Sequence, residues 1–265
     1  MHFLARPAGN LHMLTPVTAL MGIDTRLKLA RLYLVTDARA ATGDLAPFAS
    51  AALAGGVDMI QLADADLDTR AELDALATLR TAAQQHQALL ATFGNPDIAG
   101  EFAADVLHLP DDGSDAKKAR RSLHQFAVVG RSCRDADDIA RALADEAVDY
   151  LVVNADITAI EYTAQLAPPA DPESKPWFAA GGITLDYLDV VLEAGARRVM
   201  VSRALSRAKD PQQAAAAFRA KLQEVWHDPA MEAVTMSAFK SGPLVGDAEA
   251  FPYPPKPRDD GLSIG

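Results

Sequence analysis

At 265 residues, 49% of them hydrophobic and 23% charged, the chain has the composition of a globular protein with a large core. Its formal net charge of -11 works against nucleic acid and anionic membranes, so an anionic ligand needs a local basic or N–H-rich site, or a metal ion. A single cysteine, Cys133, excludes an internal disulfide and fits a reducing compartment, and no apolar run approaches the roughly 20 residues that span a bilayer.

The first 22 residues lack the unbroken apolar block of a signal peptide, so a cytoplasmic location is expected; Met13 or Met21 would serve equally well as a start. From residue 31 to 226, short β-like runs alternate with longer helical ones. The β-like runs are expected at 32–36, 59–62, 88–93, 106–109, 126–130, 150–154, 177–180 and 199–202. Helical spacing of Ala and Leu marks 68–85, 135–147 and 185–194, and Asp210 before Pro211 signals the start of a last helix over 211–226. Eight strand–helix alternations predict an α/β fold, a single (β/α)8 TIM barrel. The proline-rich run 168–172 breaks the pattern between the sixth and seventh strands, where a short unit is expected. Residues 1–30 read as an N-terminal extension and 227–265 as a mostly disordered, flexible C-terminal tail.

Two small-residue turns stand out, Ala179-Ala180-Gly181-Gly182-Ile183 and Val199-Met200-Val201-Ser202-Arg203-Ala204-Leu205. Turns of this kind after neighbouring barrel strands expose main-chain N–H groups to a phosphate. The order of Leu32-Tyr33-Leu34-Val35-Thr36-Asp37, Ile60-Gln61-Leu62, Ala104-Asp105-Val106-Leu107-His108-Leu109, Gly130-Arg131-Ser132, Val148-Asp149-Tyr150, Ala180-Gly181-Gly182-Ile183 and Ala194-Gly195-Ala196 resembles thiamine phosphate synthase and its thiazole tautomerase relative. The resemblance spans residues 31–222. It implies a reaction in which hydroxymethylpyrimidine diphosphate loses pyrophosphate and the nitrogen of a thiazole phosphate attacks the methylene left behind, giving thiamine phosphate. Gly181, Gly182, Ser202 and Arg203 are then expected on the thiazole phosphate, and Gln61 and Ser132 on the pyrimidine and pyrophosphate side. A small phosphorylated substrate is the expected partner, with a homo-oligomer left open.

The chain departs from the family pattern on the diphosphate side. The family has an Arg directly after Gln-Leu and a Lys two residues later; Ala63-Asp64-Ala65 stand here. Phe93-Gly94-Asn95 replaces its metal-binding Asn-Asp-Arg, and Asn154-Ala155-Asp156-Ile157-Thr158 replaces a Pro-Thr-x-Thr-Lys loop. His108-Leu109 runs into Pro110-Asp111-Asp112-Gly113, which makes Asp111 or Asp112 the expected Mg²⁺ ligand of an active enzyme. The tautomerase histidine is missing, because Ser132 is followed by Cys133-Arg134. The expected function is therefore a thiamine phosphate synthase-like transferase with altered pyrophosphate and metal positions. A non-catalytic barrel binding thiazole or thiamine phosphate, as a sensor or partner subunit, and a barrel enzyme acting on another small phosphate ester are the alternatives.

Several residues carry two readings at this level. Gln61 contacts a substrate amide or a structural partner, and Asp111 and Asp112 hold a metal or cap a helix. His108 shares the parity of Val106 and reads as a satisfied interior histidine. Cys133 has no base beside it in the sequence, although Arg134 next to it favours the thiolate, which leaves a nucleophile open. Thr36 and Asp37 serve the site or the turn after the first strand.

Overall fold

The computed structural model describes residues 21–240. A helix α1 (Ile23–Leu29) precedes β1 (Leu32–Thr36), α2 (Leu45–Ala54), β2 (Met59–Leu62), α3 (Thr69–Gln85), β3 (Leu89–Phe93), α4 (Pro96–Glu101) and β4 (Val106–Leu109). There follow α5 (Ala116–Ala119), β5 (Val128–Cys133), α6 (Ala136–Ala144), β6 (Tyr150–Asn154), α7 (Ile157–Leu166), β7 (Trp177–Ala180), α8 (Leu185–Glu193), β8 (Val199–Val201), α9 (Arg203–Ser206), α10 (Pro211–Trp226) and α11 (Glu232–Lys240). The eight strands pair in parallel in chain order, and β8 returns to β1, so the sheet closes into a (β/α)8 barrel.

The helices start where short polar side chains offer an acceptor to free N–H groups. Asp68, Asp115, Asp135, Asp156 and Asp210 cap α3, α5, α6, α7 and α10, and Thr184 caps α8. Asn95 caps α4, with Pro96 at the first helical position. Each strand is buried on both faces, because one face meets the helical layer and the other the barrel interior. Leu32, Leu34, Ile60, Leu90, Leu107, Val129, Leu151 and Trp177 pack outward against the helices. Tyr33, Met59, Leu89, Ala91, Val106, Val128, Tyr150, Val152 and Phe178 fill the inside, and Leu27 and Ala30 of the α1 region close the N-terminal end.

The expected tail from residue 227 needs correction. Residues 229–231 form a 3₁₀ turn and α11 follows it, with Met231 and Val234 packed on Trp226 and the Thr25 hydroxyl donating to Ala238 O at 3.0 Å. A short amphipathic stripe, Met231-Val234-Ala238, was enough once α1 and Trp226 offered it a surface. The remainder of that segment, and residues 1–20, lie outside the described residues. The α1 helix likewise occupies most of the described part of the expected N-terminal extension. The fifth strand runs from Val128 to Cys133 rather than over 126–130: Phe126 is exposed, and Gly130 lies inside the strand instead of ending it. The unit before the proline-rich run is not short, since α7 has 10 residues.

Candidate active site

The C-terminal ends of the strands gather the expected residues at one mouth. Gly181 and Gly182 follow β7, and Ser202 and Arg203 follow β8; the register Ala180↔Met200 sets these two turns side by side. Gly181 has φ +115 and Gly182 φ +64, conformations that side chains disfavour. A Cβ on Gly182 would meet nothing within 4 Å, so the turn faces open space, whereas one on Gly181 would lie 3.1 Å from Asn154 Oδ1. Both glycines, Ser202 and Arg203 are exposed, and the Ser202 hydroxyl caps no helical N–H. Arg39 braces this corner from the loop after β1: its guanidinium is paired with Asp44 at 2.6 Å and donates to Ser206 O at 3.0 Å.

Gln61 and Ser132 are also brought into one arrangement, through His108, which is the satisfied interior histidine expected, and through Tyr33 and Tyr150, which the sequence reading did not single out. Alternation along the strands turns Tyr33, Gln61, His108, Ser132 and Tyr150 to the inside. Ser132 Oγ lies 2.9 Å from His108 Nε2, and His108 Nδ1 lies 3.0 Å from the Tyr150 hydroxyl. That hydroxyl is 3.2 Å from the Tyr33 hydroxyl, which donates to Gln61 Oε1 at 2.5 Å. Phe178 packs edge-on against both tyrosines, and Phe93, exposed at the mouth, stacks on His108 with centroids 6.0 Å apart. Their sequence signal was parity: Tyr33 and Tyr150 occupy inward positions of strands whose neighbours point out.

Burial pushes the phenols of Tyr33 and Tyr150 above their ordinary range. It also lowers His108 to about 3, helped by the Arg131 charge, so the imidazole is neutral at physiological pH. An unfolded imidazole titrates near 6.5. Between these values the unfolded chain binds the extra proton, so this contribution to stability is fully present above about 6.5 and is lost as pH falls toward 3. His108→Gln should therefore flatten the acid side of the stability curve by up to about 1.4 kcal/mol per pH unit, read by urea unfolding at stepped pH.

The remaining candidates serve local structure. Asp111 pairs with Arg134 at 2.9 Å, and Asp112 accepts from the Ser114 N–H at 2.9 Å and from its hydroxyl. Among the described residues no three His, Cys, Asp or Glu side chains gather to hold a metal ion. Asp111 and Asp112, each already engaged with a different partner, do not form a ready Mg²⁺ ligand set. Asp64 pins the first loop to the second by accepting from Ala38 N and Asp66 N, both at 3.1 Å. Thr36 donates to Asp37 O at 3.0 Å and Asp37 accepts from Arg39 N at 3.1 Å, so both shape the turn. Cys133 is buried and its thiol is pushed up to about 12, by desolvation first and by Asp138, which removes it as a nucleophile.

Comparison with known proteins follows the same lines. The family described as "Thiamine monophosphate synthase" matches residues 32–205. A thiamine-phosphate synthase of Saccharopolyspora erythraea is 44% identical over 219 residues, covering 76% of this chain and 96% of its own. One from Thermobifida fusca is 45% identical over 210 residues, covering 74% and 94%. Among solved structures, thiamine phosphate pyrophosphorylase from Pyrococcus furiosus shares the fold at a TM-score of 0.66 and 24% identity, covering 76% of this chain and 98% of that one.

Proposed function

The chain belongs to the thiamine monophosphate synthase family, and on that footing we propose that it is a thiamine phosphate synthase-like transferase that keeps the thiazole-phosphate end of the site and has a rebuilt diphosphate end. The observation that carries this reading is the pair of adjacent turns after β7 and β8, open to space at Gly182 and flanked by the exposed Arg203. Main-chain N–H groups there bind a phosphate without a bulky side chain in the way, and Arg203 adds a guanidinium that can engage two oxygens. Gln61 and Ser132 orient the pyrimidine diphosphate on the other side of the mouth. Mg²⁺ remains the expected ion for release of pyrophosphate, but Asp111 and Asp112 are engaged elsewhere and no step is assigned to it.

Purified protein given hydroxymethylpyrimidine diphosphate, thiazole phosphate and Mg²⁺ should form thiamine phosphate; no product above background at high enzyme concentration removes the synthase reading. A second reading, binding of thiazole or thiamine phosphate without turnover, is favoured by Ala63 and Ala65 at positions where cations are expected. Both readings require the phosphate corner. Arg203→Ala should weaken thiazole phosphate binding about 10- to 150-fold by calorimetry, the loss of one charge-assisted contact. An unchanged affinity would place the phosphate elsewhere.

A further inference from the structure

Ser132, His108, Tyr150, Tyr33 and Gln61 come from β5, β4, β6, β1 and β2, yet they form one unbranched series of four hydrogen bonds. The series can be settled by counting hydrogens. A serine hydroxyl, a neutral imidazole and two phenols each own one, which makes four hydrogens for four links. Once one link has a direction, all of them do. With Gln61 Oε1 as the terminal acceptor, Tyr33 donates to Gln61 and Tyr150 donates to Tyr33. His108 must then carry its hydrogen on Nδ1 and give it to Tyr150, and Ser132 must donate to Nε2. In this state the Ser132 oxygen has only lone pairs left for a ligand.

With the Gln61 amide turned by half a turn and the imidazole proton exchanged from Nδ1 to Nε2, every direction is reversed. The amide N–H₂ then donates to Tyr33, Tyr33 to Tyr150, Tyr150 to Nδ1, and an Nε2–H to Ser132. The Ser132 hydrogen is released from the series and is free to donate to a ligand. Both states occupy the same volume and leave every link made, and each needs the imidazole neutral, as burial keeps it.

We propose that this series relays hydrogen-bond polarity across the barrel: an oxyanion at Ser132 accepts a hydrogen bond from its hydroxyl, His108 gives up its Nδ1 proton to solvent water and takes one from water at Nε2 so that its charge is unchanged, the two tyrosine hydroxyls rotate, and the Gln61 amide turns. The carbonyl of Gln61, no longer held by Tyr33, becomes an acceptor for a ligand N–H. An anion on one wall and an amino-bearing ring on the other thereby favour each other. Tyr33, Tyr150 and His108 are positioning residues in this scheme. Its use in the reaction rests on Ser132 and Gln61 facing the pyrimidine diphosphate as proposed above.

Nitrogen NMR of the labelled full-length chain, titrated with inorganic pyrophosphate, tests it, with calorimetry to show binding. Without ligand, His108 should carry its proton on Nδ1. Pyrophosphate should exchange the protonated and unprotonated ring signals, and the Gln61 side-chain amide signal should move with them. Tyr33→Phe keeps the ring and cuts the series beside Gln61; there His108 should start as a mixture of tautomers that pyrophosphate still drives to the Nε2–H form, while Gln61 stays put. Should that variant fail to fold, Gln61→Met gives the same information, since loss of the terminal acceptor should leave His108 as a mixture of tautomers before any ligand is added. A single unchanging tautomer in the presence of bound pyrophosphate, or a Gln61 response that survives Tyr33→Phe, overturns the relay and leaves the site reading intact. Absence of pyrophosphate binding overturns Ser132 as an anion-side residue and the relay with it.

Discussion

Replacing Gly130 by alanine should cost more stability than any other single methyl group added to the barrel strands. A Cβ there would sit 2.0 Å from Tyr150 Cζ, 2.2 Å from Cε1 and 2.4 Å from the hydroxyl oxygen. The Tyr150 ring has nowhere to go, because it is fully buried and held by His108, Tyr33 and Phe178 at centroid distances of 5.6, 6.3 and 5.8 Å. Overpacking of an adaptable core costs about 1–3 kcal/mol. At this rigid contact about 3 kcal/mol or more is expected, a fall in Tm of roughly 6–12 °C for a domain of this size, measured by calorimetry. The double variant Gly130→Ala, Tyr150→Val should lose less than the sum of the two single changes, since removing the ring makes room for the methyl. A single variant melting within about 2 °C of the unsubstituted chain would show that the ring yields and the contact does not constrain the interior.

The same contact explains what was legible in the sequence and what was not. Strand positions followed from apolar runs because a barrel strand is buried on both faces, and seven of the eight expected runs lie within a residue of the observed ends. The fifth strand slipped because glycine usually weakens a strand. Gly130 stands there for a reason that exists only in three dimensions, since the space it leaves is occupied by a tyrosine 20 positions along the chain. The two adjacent turns after β7 and β8 could be read because a tight turn leaves a local mark in composition. The polar series could not, because its five members are separated by up to 117 residues and share only inward parity. Local spacing was likewise silent on Asp64, which looks like a stray anion at the mouth and instead supplies two backbone amides with an acceptor. The helix α11 escaped notice because its nine residues carry too little periodicity to fold alone, and its stability comes from packing on α1 and Trp226.

Restoring two cations beside Gln61 should raise synthase activity by roughly 10²–10⁴-fold, the largest functional change expected from any substitution in this chain. Ala63 continues the inward parity of Gln61 at the mouth, and Ala65 lies exposed two residues later. The loop that carries them is already pinned: Ala63 N donates to Thr36 O at 2.9 Å, and Asp64 accepts from Ala38 N and Asp66 N. Ala63→Arg with Ala65→Lys therefore places a guanidinium and an ammonium on a fixed backbone, where the proposed reaction builds up negative charge on departing pyrophosphate. Each charge-assisted contact contributes about 1.5–3 kcal/mol, and every 1.4 kcal/mol or so is a factor of ten in rate. The gain should appear in kcat/KM for hydroxymethylpyrimidine diphosphate. It should disappear again when Arg203→Ala is added, because the attacking thiazole phosphate then loses its anchor. Tighter binding of pyrophosphate by the double variant, with thiamine phosphate still at background, would defeat the transferase reading: the barrel would then bind its phosphorylated ligands without joining them.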